Sequence, residues 1–131
     1  MLLVDTNVLS ELMRPRPAPV LVRWAAAQAR FALSVVTIEE VEFGLALRRS
    51  ARLEAVFEAL LTEHCTVFDV TVGVARRSAA LRATLRTGGR TRTQADMLIA
   101  GTAAEHGLAV ATRNVRDFDG CGVRVVNPFV A

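Results

Sequence analysis

Lysine and tyrosine are absent from this 131-residue chain, tryptophan occurs once and cysteine twice. Without lysine, no ammonium is available to neutralise an aspartyl-phosphate, which counts against a phosphatase with an aspartate nucleophile. Cys65 and Cys121 stand 56 positions apart, lack the short spacing of a metal-binding pair, and read as reduced thiols of a cytoplasmic protein. No run approaches the roughly 18 consecutive apolar residues of a membrane span, and the opening apolar stretch Met1 to Val4 is cut short by Asp5. Nor does charge of one sign dominate: the net charge of +3, carried on 16 arginines, is a weak pointer to nucleic acid. What is present, 52% hydrophobic and 22% charged residues, belongs to a globular chain with one core, and a single domain spanning residues 1–131 is expected.

Strand-like and helical patterns alternate. Leu2-Leu3-Val4 reads as a strand ending in Asp5-Thr6-Asn7, followed by helical spacing at Val8, Leu9, Leu12 and Met13. After the Pro15, Pro17 and Pro19 connector, helical spacing resumes from Val20 to Ala29, and Phe31 to Val36 is a second strand. Thr37 is the expected N-cap of a helix reaching Arg49, and Ser50 separates it from another over Arg52 to Glu63. Thr66 to Val70 predicts a third strand, Val72 to Leu85 a helix, and Gln94 to His106 a helix closed by Gly107. Leu108 to Ala111 and Val123 to Val126 are the last strands, with a turn at Val115 to Asp117 between them. Alternation of this kind implies an α/β fold with a parallel sheet covered on both faces, and a ligand crevice beyond the carboxyl ends of its strands.

Aspartates are scarce, five in all, and two follow strands: Asp5 directly and Asp117 after a few residues. Asp96 and Glu40 are placed by the pattern in the first turns of two helices. Four carboxylates meeting at one sheet edge would require a hard divalent cation, Mg²⁺ or Mn²⁺, to relieve their repulsion. A plainer reading competes: Thr37, Thr93 and Asn114 precede Glu40, Asp96 and Asp117 by three residues, which is capping-box spacing, and Asp5 can open its own helix. For Asp96 the helical face shared with Ile99, Ala100 and Ala103 points the acid inward, where it is costly unless partnered. Periodicity does not choose among Glu39, Glu40 and Glu42.

The segments LLVDTNVLSEL, TIEEVEFG, QADMLIAGTA and AVATRNVRDF…VNP together resemble the PIN-domain family, specifically its VapC and FitB type of toxin, over nearly the whole chain. The resemblance implies a three-layer α/β/α sandwich around a central parallel sheet, and a ribonuclease that uses Mg²⁺ or Mn²⁺. It matches Asp5 and Asp96 to the family's principal metal-binding aspartates, and Glu40 to the acid four residues before a glycine, here Gly44. At the fourth acidic position some relatives carry aspartate where this chain has Asn114, and Asp117 is the nearest carboxylate. Asn7 and Thr112 match polar positions that steady Asp5 or a bound water. Glu40 and Asp117 are then expected to complete the site, with hydrolysis by an activated water. The resemblance also implies a VapB-like antitoxin and a homodimer, with Leu21, Trp24, Phe57 and Leu60 as candidates for an apolar docking groove. Arg82 and Arg86, near the Gly88-Gly89 turn, are candidates for guiding an RNA backbone. Two alternatives remain: a PIN-fold binding module without catalysis, and the aspartyl phosphatase, whose usual second aspartate is Asn7 here. The absence of glycine from Asp5-Thr6-Asn7-Val8 argues against a dinucleotide site.

Overall fold

The computed structural model describes residues 1–130. Five strands, β1 (Leu2–Val4), β2 (Phe31–Ser34), β3 (Cys65–Phe68), β4 (Ala109–Ala111) and β5 (Val125–Val126), form one parallel sheet in the order β3-β2-β1-β4-β5. Between them run α1 (Thr6–Leu12), α2 (Pro19–Ala26), α3 (Val35–Arg48), α4 (Ala51–His64), α5 (Val72–Thr87) and α6 (Gln94–His106), and a 3₁₀ turn (Val115–Phe118) precedes β5.

Strand order explains the layers. The chain moves outward from β1 to β3 and then returns across the sheet to β4, so crossovers of one hand place their helices on opposite faces. Val4, Leu33 and Ala111 accordingly pack under α1 to α4, with Leu9, Leu21, Val41 and Phe57. Leu3, Ala32 and Val110, one residue out of phase, pack under α5 and α6 with Met97, Ile99 and Ala100. The result is the expected α/β/α sandwich, with apolar central strands because both faces are buried.

Several boundaries differ from expectation. The helix after β2 begins at Val35, capped by Ser34, whose hydroxyl accepts from Val36 N at 3.1 Å. Thr37 therefore lies inside the helix rather than at its cap, and Glu40 falls in the second turn. Buried Thr37 Oγ1 has no hydrogen-bond partner among the described residues. At α6 the expectation holds to the residue: Thr93 Oγ1 accepts from Asp96 N at 3.1 Å, and Gly107 terminates the helix at φ 65°.

Helices α5 and α6 approach closely because Gly101 has no side chain: a Cβ there would lie 2.9 Å from the Val74 carbonyl oxygen and 3.1 Å from Ser78 N. Backbone on both sides leaves the helices to separate instead. Gly101→Ala is expected to destabilise by about 1–3 kcal/mol, the usual cost of overpacking, and an unchanged urea midpoint would refute the constraint. Thr37→Val removes an unpartnered hydroxyl at nearly constant shape, so the melting temperature is expected to hold or rise. A clear fall would mean that this hydroxyl has a partner in solution.

Candidate functional site

The sheet reverses its order between β1 and β4, and the chain leaves those two strands through Asp5 and Thr112. Both remain tied to the sheet: Asp5 N donates to the Ala111 carbonyl and Thr112 N to that of Val126, each at 2.9 Å. Asp5 is 5% exposed, and its carboxylate is well supplied with donors. Oδ1 accepts from Thr6 N at 2.8 Å, capping α1, while Oδ2 accepts from Asn7 Nδ2 at 3.0 Å and from Thr112 Oγ1 at 2.8 Å. Helix capping and site formation are thus one arrangement at Asp5. The other end of Asn7, Oδ1, accepts from Arg113 N at 2.9 Å, so this residue links the start of α1 to the loop after β4.

Glu40 reaches the same region from α3. Its Oε1 accepts from Thr6 Oγ1 at 2.7 Å, whereas Glu39 and Glu42 are exposed. The geometry therefore singles out Glu40 from the three acids that periodicity left open. Thr6 was missed at the sequence level, although a hydroxyl beside a strand-end aspartate was a usable signal.

Asp96 comes from the opposite layer, in the first turn of α6. Its pKa is pushed up to about 6, chiefly by burial; the hydrogen bond with the Thr93 side chain opposes the shift, and the carboxylates of Asp5, Asp117 and Glu40 each add to it. Among the described residues no basic side chain offsets this charge. Asp117 belongs to the 3₁₀ turn, which is pinned by buried Phe118 and by Arg92, whose guanidinium donates to the Arg116 and Asp119 carbonyls at 2.6 and 2.9 Å. Asn114 makes no side-chain cap, contrary to the capping-box spacing; its backbone N–H donates to Thr112 Oγ1 at 2.9 Å. Among the described residues, no three His, Cys, Asp or Glu side chains are drawn together tightly enough to cage an ion. The other three acids are within electrostatic reach of Asp96, while Asp5 and Glu40 are held by their own hydrogen bonds. An all-oxygen donor set of this charge suits a hard divalent cation.

Other expected residues lie elsewhere. Leu21 and Phe57 are fully buried and belong to the interior rather than to a docking groove, whereas Trp24, which stacks on Phe31 with centroids 5.7 Å apart, and Leu60 pack against the same core and keep part of their surface exposed. Arg82 and Arg86 are exposed on α5. A groove of about 800 Å³ instead runs from Asn7 and Glu40 past Gly44 to Arg48, with Arg113 at its edge.

The PIN domain family matches residues 2–120, and the chain belongs to that family. Among its relatives, a VapC ribonuclease of Sinorhizobium fredii is 33% identical, over 98% of this chain and 98% of its own length. The solved structure of FitAcB from Neisseria gonorrhoeae superposes with a TM-score of 0.88 at 32% identity, covering 100% of both chains. A toxin-antitoxin complex from Klebsiella pneumoniae gives 0.78 at 29% identity, covering 98% of each chain.

Burial and like charge favour protonated Asp96 in the folded, metal-free protein, so this residue's contribution is favourable at low pH and is lost as pH rises from about 4 through about 6. Asp96→Asn is expected to raise the melting temperature in EDTA at pH 7.5 and to confer little gain at pH 4. An equal gain at both pH values would contradict this electrostatic account.

Proposed function

We propose that this protein is a metal-dependent endoribonuclease, the toxin of a toxin–antitoxin pair, hydrolysing RNA phosphodiester bonds by an activated water. The observation that carries the reading is the half-buried Asp96, whose charge is penalised by burial and by the carboxylates of Asp5, Asp117 and Glu40, with no basic side chain among the described residues offsetting them. The name of the Sinorhizobium fredii relative, a VapC ribonuclease, supports it.

Asp5 and Asp96 are the residues that would hold Mg²⁺, for which Mn²⁺ substitutes, and Glu40 and Asp117 complete the site directly or through water. When bound, the cation supplies the charge that acidifies an attacking water and offsets charge gathering on the scissile phosphate. Asn7 and Thr112 orient Asp5 through Oδ2, and Thr6 fixes one oxygen of Glu40. Covalent catalysis by cysteine has no support: Cys65 and Cys121 are buried, and burial raises both thiols above their ordinary pKa.

A cognate VapB-like antitoxin and a second copy of the chain are the proposed partners, in keeping with the toxin-antitoxin complex among the structural neighbours. Phe43 and Leu47, one turn apart on α3 and 63% and 72% exposed, are apolar surface that such a partner can cover.

Purified protein free of antitoxin is expected to cut RNA, with structured RNAs such as tRNA among the substrates, in Mg²⁺ or Mn²⁺ and not in EDTA. Folded Asp5→Asn and Asp96→Asn variants should each lose at least about 100-fold in rate, the scale of removing a principal electrostatic contribution to a transition state. Cleavage surviving both substitutions would place the activity elsewhere. No cleavage of any RNA, with weak Mn²⁺ binding, would leave the non-catalytic binding module.

A further inference from the structure

Most arginines near the site are already engaged. Arg14 pairs with Glu11 at 3.3 Å, Arg52 donates to the Met13 carbonyl at 3.0 Å, and Arg90 and Arg92 hold the segment around Asp119. Arg113 differs. Its backbone is fixed by Asn7, one residue beyond the threonine that holds Asp5, yet its guanidinium forms no ion pair or hydrogen bond among the described residues. Instead it lies over the ring of Phe129, 3.9 Å from the centroid. Arg113 also lines a second, smaller groove that contains Asp117, and so stands between the two clefts flanking the acids. Further along the first groove Arg48 is likewise exposed and unpaired among the described residues, and between Glu40 and Arg48 lies Gly44, where a Cβ would meet nothing within 4 Å.

We propose that Arg113, with Arg48 further along the groove, grips backbone phosphates of a single-stranded RNA segment and so positions the scissile bond beside Asp5 and Glu40. The inference rests on the nuclease reading and extends it to the path of the substrate. Stacking on Phe129 occupies the face of the guanidinium and leaves its N–H edge for a phosphate, the contact that arginine makes best. A strand with one phosphate at the carboxylates must continue past them. Phosphates recur at every nucleotide, so two unpaired guanidiniums along one groove suit such a strand. Gly44 keeps the way between them clear, at the usual cost of glycine within a helix.

The test measures binding of a fluorescein-labelled single-stranded RNA oligonucleotide by anisotropy across a salt series, in the Asp96→Asn background to prevent cleavage. Arg113→Ala is expected to weaken binding about 5- to 10-fold and to reduce the slope of log affinity against log salt by about 0.7, the share of one single-strand phosphate contact. Arg48→Ala should reduce the slope similarly, and Arg113→Lys should keep the slope while losing part of the affinity. Gly44→Leu should weaken binding with the slope unchanged, because it obstructs the groove without removing charge. Mn²⁺ affinity of Arg113→Ala, with Asp96 restored, should equal that of the parent, separating a substrate contact from damage to the acids. If Arg113→Ala binds RNA with the parent's affinity and slope, the proposal fails while the nuclease reading stands on its own cleavage assay. Loss of binding on Arg82→Ala with Arg86→Ala, and not on Arg113→Ala, would overturn it in favour of a path over α5. A poly-aspartate peptide binding as tightly as the RNA would overturn the assignment to nucleic acid. If the parent cuts no RNA but Arg113→Ala still loses affinity and slope, the groove holds RNA and it is the nuclease reading that falls.

Discussion

A buried carboxylate at the end of the central strand is the constraint on which the rim of this protein depends. Asp5 is nearly removed from solvent, a costly position for an acid unless its oxygens are met by donors. Three donors meet them, from Thr6, Asn7 and Thr112, and each has a second tie. Thr6 holds Glu40, Asn7 receives the backbone of Arg113, and Thr112 receives that of Asn114. Loops separated by more than a hundred residues are therefore ordered by one side chain. Its place is fixed by topology, because β1 lies where the strand order reverses and the crevice opens.

Asp96 shows the opposing tendency. Thr93 caps its helix and stabilises the local structure, while burial and three neighbouring carboxylates penalise its charge. The close contact of α5 and α6 at Gly101 helps to fix the helix that carries it, so the acid cannot easily relax outward. Stability is thereby given up at a point where a bound cation would recover it, a common pattern at functional sites.

The layers, helix order and the α6 boundaries were legible because their signals are local: apolar periodicity, a threonine cap and a terminal glycine. The start of α3 was not. Val35 and Val36 are β-branched and extend the apolar run of β2, a pattern that reads as continued strand with the cap at Thr37, whereas in the fold Ser34 caps the helix. Asp5 and Asp96 stood out by position, whereas periodicity did not separate Glu40 from its neighbours: the resemblance picked it by its spacing to Gly44, and the physical reason, a hydroxyl 34 residues away, is visible only in the fold. The turn carrying Asp117 is likewise secured by Arg92, 24 residues from the carbonyl it binds. The apolar residues of α2 and α4 satisfy the patterns of core and groove equally well, and only packing shows that Leu21 and Phe57 face inward.

Net charge describes this surface poorly, since what matters is how its acids and arginines are kept apart. An arginine paired to Asp5 would satisfy the carboxylate but also cancel its charge. Neutral donors do the first without the second: the amide of Asn7 and the hydroxyl of Thr112 meet Oδ2, the backbone of Thr6 meets Oδ1, and none of them brings a compensating charge or takes the last acceptor position of the carboxylate. Arg113, next in sequence to one of those donors, is meanwhile occupied by an aromatic ring, which is neutral as well. Both charges are thus positioned by uncharged neighbours, an arrangement that suits the proposed cation at the acid and the proposed phosphate at the guanidinium. A ribonuclease of the proposed kind needs the two together, because its substrate is an anion and its acidic centre would otherwise repel it.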